Sequence, residues 1–313
     1  MFRFVSHKEI DKTQWDQCLD QCPWARIYAY SWYLDQVHPQ WNALIFGAYH
    51  AIVPLPTRKK YGITYLAQPP FCQQLGLYAR EETWKEGAFS FFEALPRSIR
   101  WGHYQLNSHN VPSQPKNHKQ AFVIKNRSNY ELSLAAPYER LQKAYSANTR
   151  RNIRKAQKNQ LFLSLSLDPH LLIHLKQQNE QVPISGESYR NLQGIIEMGI
   201  QKGKGTSVGV WDSSQKELLA GAFLLQGPFH LVYLLAVSSE RGKEMRAMFY
   251  LVDQVISQFS TGSCNLDFEG SDLPGLARFY EGFGATNHPY PQVHLQRIPQ
   301  WIVNTKNLIF PKK

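Results

Sequence analysis

Cysteine is scarce, with four in 313 residues: Cys18, Cys22, Cys72 and Cys264. Four is too few for a disulfide framework at this length, and the spacing of Cys18 and Cys22 is not the CxxC of a redox or zinc site. Reduced thiols and a cytoplasmic location are therefore expected. No run of about 18 apolar residues occurs, so no transmembrane segment is expected. The first twenty residues carry Lys8, Glu9, Asp11 and Asp16 and have no apolar core of signal-peptide length. Neither GxGxxG nor GxxxxGK[ST] is present, which leaves a nucleotide-binding Rossmann or P-loop reading without a motif. Acidic residues are also in short supply: 24 Asp and Glu stand against 35 Lys and Arg, a formal net charge of +11. Such a surplus favours polyanionic partners.

What is present suits a folded chain of two units. Hydrophobic residues make up 43%, enough for a substantial core, and the length fits two domains at roughly 150 residues each. Residues 1–135 read as a strand-rich first unit. Apolar, β-prone runs fall at 42–56, closed by prolines, and at 61–66, 101–106 and 120–124. A helix is expected over 83–95, ending before Pro96, and a polar loop over 111–117. Residues 136–313 read as the second unit. Tyr130 to Leu134 alternates like a strand, and Pro137 opens a helix expected to run to about Asn159. Further strands are expected at 161–167, 206–211, 218–225, 229–237, 264–268 and 292–297. Helices are expected at 169–181, 187–202, 244–259 and after Pro274. The order fits a mixed, largely antiparallel α/β sheet flanked by helices. The stretch 298–313 is expected to pack back on the first unit.

The densest chemistry lies in Asn265-Leu266-Asp267-Phe268-Glu269-Gly270, followed by Leu276-Ala277-Arg278-Phe279-Tyr280-Glu281-Gly282-Phe283-Gly284. Asp267 and Glu269 are two apart, so strand alternation puts both on one face. The second stretch resembles the A-x-x-[LF]-Y-[EK]-x-x-G segment of the GNAT acetyltransferases. The resemblance implies that Tyr280 is a general acid for the leaving thiolate of coenzyme A. Glu269 or Asp267 is then the candidate base that takes the proton of the attacking amine.

GNAT proteins also carry a pyrophosphate loop of pattern [RQ]-x-x-G-x-[GA] between a strand and a helix. The corresponding place here is Ser239-Glu240-Arg241-Gly242-Lys243-Glu244-Met245-Arg246. With Arg241 in the first position, Glu244 and Arg246 stand where glycines belong, and a glutamate repels phosphate. Arg241, Gly242, Lys243 and Arg246 remain candidates for holding an acyl-CoA donor, the cations through their side chains.

Ser146-Ala147-Asn148-Thr149-Arg150-Arg151-Asn152-Ile153-Arg154-Lys155-Ala156-Gln157-Lys158 is similar to the K-x-R-x-[NI]-I-R-x-A-x-K-x-G helix of the Fem family of peptidoglycan-bridge aminoacyltransferases. That family has two tandem GNAT-like units, uses aminoacyl-tRNA and lacks a standard pyrophosphate loop. On a helix, Arg150, Arg151, Arg154, Lys155 and Lys158 fall within roughly 140° of arc, opposite Ile153 and Ala156. Such a stripe suits a tRNA backbone or an anionic lipid-linked substrate.

The leading reading is an N-acyltransferase moving an acyl or aminoacyl group from acyl-CoA or aminoacyl-tRNA to a small amine acceptor by direct attack. The alternative is a non-catalytic GNAT-like protein that binds an anionic nucleic acid or glycolipid through the basic stripe. No metal is expected: His170 and His174 have i,i+4 spacing but lack a companion Glu and a third ligand.

Overall fold

The computed structural model describes residues 1–85, 90–110, 122–180, 183–270 and 272–297. The loop expected over 111–117, the middle of the helix expected over 83–95 and the stretch 298–313 lie outside them. Among the described residues, no helix is long and apolar enough to cross a membrane.

Contacts divide the chain into two compact units, at 126/127 rather than at 135/136. Residues 25–27 belong with the second unit although the chain on either side of them belongs to the first. Residues 290–297 belong again with the first unit. The boundary moves because Tyr130 to Ser133 pairs into the second unit's sheet, while Tyr290 to Gln296 pairs into the first's.

The first unit opens with β1 (Phe2–Val5), α1 (Lys12–Asp20) and α2 (Ser31–Val37). Asp11 caps α1 by accepting from the Thr13 and Gln14 amides. Next come β2 (Asn42–Phe46), β3 (Ala51–Leu55), β4 (Thr57–Lys60), β5 (Ile63–Ala67) and β6 (Tyr78–Ala79). The single run expected over 42–56 is a hairpin, turned by Gly47 and Tyr49 at positive φ. Pro54 lies inside β3 rather than closing it. β6 pairs β3 only at Ala51 and Ile52, so the N–H that Pro54 lacks is not needed by a neighbour on that side. Then follow α3 (Ser90–Glu93), β7 (Ile99–Gln105) and β8 (Phe122–Arg127). The order is β1-β2-β3-β6 in one sheet; in the other it is β4-β5-β7, the returning strand Tyr290–Gln296, then β8. Tyr28, Tyr30, Trp32 and Tyr33 are buried core.

The second unit comprises β9 (Tyr130–Ser133), α4 (Tyr138–Lys143), α5 (Ala147–Lys158), β10 (Phe162–Ser164), α6 (Pro169–Gln178), α7 (Gly186–Gln201), β11 (Gly205–Trp211), β12 (Leu218–Gln226), β13 (His230–Ser238), α8 (Glu240–Glu244), α9 (Ala247–Phe259), β14 (Asn265–Asp267), α10 (Pro274–Glu281) and β15 (Thr286–Asn287); β16 is the returning strand Tyr290–Gln296. Its sheet runs β10-β11-β12-β13-β14-β9-β15, and β13–β14 is a parallel pair among antiparallel neighbours.

Two helices expected to be continuous are broken. The helix from Pro137 stops at Lys143, and Ser146 starts a new one by accepting from the Thr149 amide, while Arg150 donates to the Tyr145 carbonyl. The helix expected over 244–259 is preceded by α8 and separated from it by Arg246, whose φ of 62° is left-handed. Helical periodicity persists through both breaks, but local capping ends the hydrogen-bond ladder.

Pairing geometry puts one strict demand on sequence. Gly102 in β7 has φ 133°, and a Cβ there would lie 2.2 Å from the Leu66 carbonyl oxygen of β5. Gly102→Ala is expected to destabilise the fold by about 2–4 kcal/mol, read as a lower urea midpoint.

Candidate active site

Strand alternation in the second unit sorts leucine from charge. Across β13, β14 and β9 the paired Leu231, Leu266 and Leu132 fall on one face, inside the apolar core. The other face carries His230, Asn265, Asp267 and Glu131, with Asp267 directly opposite Glu131. Both carboxylates are buried, at 0% and 6% exposure. Arg26, 2% exposed, lies between them: Nη1 donates to Asp267 Oδ2 at 2.8 Å and Nη2 to Glu131 Oε1 at 2.9 Å. Asn129 and Asn265 donate to Glu131 at 3.0 and 3.2 Å, and His230 Nε2 lies 3.3 Å from Glu131 Oε2.

The network moves the two carboxyls in opposite directions. Burial alone would raise Glu131, but the His230 hydrogen bond and the Arg26 charge outweigh it and hold the group well below the usual carboxylate range. Burial raises Asp267 even against the attraction of Arg26, and the Glu131 charge adds to the rise.

At Asp267 the sheet splits. β14 pairs with β13 only as far as Val232–Asp267, whereas β13 continues to Ser238. Beyond Asp267 the chain stays with β9: the Phe268 amide donates to the Tyr130 carbonyl and the Tyr130 amide to the Glu269 carbonyl. Among the described residues no strand pairs with the edge of β13 from Tyr233 onward, so the ladder between β13 and β14 opens there. Leu234 is the extra residue of a β-bulge in β13, where the register with β12 shifts.

Aromatic side chains of the buried apolar core gather where the two strands part. Tyr280 of α10 stacks on Phe268 with centroids 4.7 Å apart and planes at 20°, and Tyr130 lies 6.0 Å from it. Tyr233 meets Phe268 edge-on at 5.7 Å, and its hydroxyl reaches Met248 in the first turn of α9. Burial, then the nearby Glu269 carboxylate, pushes the Tyr280 hydroxyl up to about 12. A phenol with that value keeps its proton at neutral pH and can donate it.

Asp267 and Glu269 do not share a face as alternation suggests. β14 ends at Asp267, and Glu269 has φ 60°, which turns its side chain away. Asp267 Oδ1 accepts from the Glu269 amide at 2.9 Å and so holds this turn. Fully buried and bound to Arg26, Asp267 has a structural place, and Glu269 is the carboxylate beside Tyr280.

The candidates for donor binding are placed differently from the family's loop. Arg241 pairs with Glu217, and Lys243 Nζ lies 2.5 Å from Glu240 Oε1. Gly242 is buried, its amide donates to Ser239 Oγ, and a Cβ would lie 2.0 Å from the Leu219 carbonyl oxygen. Close packing on β12 and a helix cap occupy the glycine that resembles a phosphate-wrapping one. Arg246 sits at the left-handed turn before α9, with Nη1 3.3 Å from the Lys243 carbonyl.

Arg150, Arg151, Arg154, Lys155 and Lys158 are all exposed on α5, while Thr149, Ile153 and Ala156 are buried. Arg151 donates to Asn148, and no acidic residue pairs with any of the five among the described residues. α5 adjoins the opening at both ends. The Ser146 amide donates to the Gly282 carbonyl at the end of α10, and Asn159 donates to Met245 just before α9. His170 and His174 lie on α6, away from this cluster, with His174 Nε2 2.9 Å from Gln178 Nε2. A separate cavity of about 440 Å³ is lined by His174, Trp211 and Lys216 among others, and by none of the candidate site residues.

No family model matches the sequence, and neither does any curated protein. Solved structures do match. FemX superimposes with a TM-score of 0.65 at 12% identity, over 94% of this chain and 98% of its own. The L-PGS structure from Bacillus licheniformis gives 0.55 at 12% identity over 97% and 98%. A tandem GNAT protein from the clavulanic acid biosynthesis pathway gives 0.53 at 11% identity over 96% and 98%. The fold is the tandem GNAT-like fold of Fem type. At these identities the likeness is one of architecture.

Sequence reasoning did not single out Arg26, Glu131 or His230. The available signal was a lone charge in an apolar stretch: Arg26 stands in Pro23-Trp24-Ala25-Arg26-Ile27-Tyr28-Ala29, and His230 between Phe229 and Leu231.

Arg26→Met leaves two facing buried carboxylates and is expected to destabilise the protein by about 3–5 kcal/mol in urea unfolding. Because Glu131 is depressed, its contribution is full above the unfolded-state value of ~4.3 and is lost as pH falls below that. Glu131→Gln is therefore expected to flatten the acid limb of a stability–pH curve below about pH 4.

Proposed function

We propose that the second unit transfers an aminoacyl group from aminoacyl-tRNA to an amine at the opening between β13 and β14. The observation that carries the reading is that the Glu269 carboxylate lies near enough to the buried Tyr280 hydroxyl to help raise it, where the two strands part. The acceptor nitrogen attacks the ester carbonyl and forms the amide C–N bond. Glu269 takes the proton that nitrogen loses, and the C–O bond to the leaving ribose oxygen breaks as Tyr280 supplies its proton. Proton return from Glu269 to Tyr280 closes the cycle with no net change in the protein. Main-chain amides on the free edge of β13, redirected by the bulge at Leu234, suit the developing oxyanion.

Two observations favour tRNA over coenzyme A as donor. The segment that resembles a pyrophosphate loop is folded into α8, with Gly242 packed on β12. The five exposed cations of α5 run from the end of α10 to the turn before α9, along the flank of the opening. Phosphate contacts of this kind are salt-dependent and independent of base sequence.

A second reading, in which the protein holds a polyanion on α5 without catalysis, is favoured by the packing of Tyr280, only 9% exposed and stacked on Phe268.

Glu269→Gln and Tyr280→Phe are each expected to lower the transfer rate by about 10²–10⁴-fold, with circular dichroism unchanged. Wild-type rates in both would remove the two assignments, and no transfer by the wild-type protein would leave the non-catalytic reading. Arg150→Ala with Arg154→Ala is expected to weaken tRNA binding and to reduce the slope of log K against log salt by about 2 in a fluorescence anisotropy series. Saturable binding of coenzyme A in calorimetry, with no tRNA binding, would overturn the donor assignment.

A further inference from the structure

Arg26 lies outside the chemistry proposed for Glu269 and Tyr280, yet one side chain connects it to them. Asp267 uses its two oxygens for different tasks. Oδ2 accepts from Arg26 Nη1 at 2.8 Å, and Oδ1 accepts from the Glu269 amide at 2.9 Å. The Glu269 carbonyl in turn accepts from the Tyr130 amide at 3.2 Å. Glu269 is thus held at both ends of its backbone in a left-handed conformation, φ 60°, which a non-glycine residue adopts only when its surroundings impose it. Released from the Asp267 carboxylate, the residue would relax toward extended backbone and carry its side chain across the sheet, because strand alternation reverses with each residue.

We infer that Arg26 is a positioning residue for Glu269, acting through Asp267. The guanidinium fixes the Asp267 carboxylate, the carboxylate fixes the left-handed turn at Glu269, and the turn keeps the Glu269 carboxylate on the side of the sheet where Tyr280 lies. Glu131 serves the same guanidinium from the other side, with Asn129, Asn265 and His230 satisfying its remaining oxygen sites. Its task is to balance charge beside Asp267, and its side-chain hydrogen bonds go to Arg26, Asn129 and Asn265. The two carboxylates that face each other across β14 and β9 are therefore not equivalent: one leads to the reactive residue and the other does not.

Asparagine at 267 separates positioning from folding. An amide offers one acceptor oxygen where the carboxylate offers two. With Arg26 present the oxygen turns to the guanidinium, and the NH₂ then opposes the Glu269 amide, donor against donor. The charge balance of Arg26 with Glu131 survives, so the buried cation keeps a partner.

The inference rests on the acyl-transfer reading for its kinetic consequence but not for its geometry, and two measurements keep these apart. The first is NMR of the protein with ring-labelled tyrosine, with the Tyr280 signal assigned by Tyr280→Phe. In the wild type that signal shifts with pH as Glu269 titrates, and in Glu269→Gln this step disappears. Asp267→Asn is expected to reduce the step by at least half, whereas Glu131→Gln leaves it intact. The second is a double-mutant cycle on the transfer rate. Asp267→Asn is expected to lower the rate by about 10-fold or more in the wild type and by less than 2-fold in Glu269→Gln, the non-additivity of residues acting as one unit. Glu131→Gln is expected to lower the urea midpoint while the rate stays within 2-fold. An unchanged Tyr280 titration step in Asp267→Asn overturns the positioning role, whatever the kinetics. A lost step with no transfer by the wild-type protein keeps the positioning role and overturns the acyl-transfer reading.

Discussion

Asp267 and Glu131 face each other across paired strands with almost no access to water, and a single guanidinium makes that arrangement tolerable. Two like charges in a dry interior repel strongly, and one cation bound to both turns the repulsion into a connected network. Arg26 reaches this place from residues 25–27, which belong with the second unit although they are flanked in sequence by the first. The polar face of the β13–β14–β9 triplet is organised around it, while the leucine face packs the helices.

From that point the geometry of the opening follows. Because Asp267 is tied to Arg26 and to the Glu269 amide, β14 ends where β13 continues. The freed edge of β13, the bulge at Leu234 and the stacked Phe268–Tyr280 pair then occupy one place. A residue near a strand end, an aromatic on the next helix and a strand edge that no described strand pairs come together there. Acyl transfer by direct attack asks for little more than positioning, one base, one acid and oxyanion donors.

The long central strands were legible in the sequence. Those expected at 206–211, 218–225 and 229–237 correspond to β11, β12 and β13 within a residue at each end, because continuous apolar and β-branched runs leave little alternative. The mixed α/β class was legible from the same runs, and the tandem GNAT-like architecture from the resemblance of the segments around Tyr280 and Arg150. The breaks at Ala144–Ser146 and at Arg246 were not, since a helical apolar stripe continues through them and only capping bonds reveal the interruption. Gly242 misled for a physical reason: a glycine can serve close packing or phosphate contact, and the sequence alone does not say which. Arg26 was least visible of all. Its partners are 105 and 241 residues away, so local pattern carries no trace of the pairing.

The most direct measurement is a crystal structure of the protein with an adenosine bearing an amide-linked amino acid, a stable mimic of the aminoacylated 3′ end of tRNA. The account places the amino acid between Tyr233, Phe268 and Tyr280, with its carbonyl against the free edge of β13 and the adenosine toward α5. Binding of the mimic in the separate cavity beside His174 and Trp211, with the opening at Tyr280 unchanged, would contradict it.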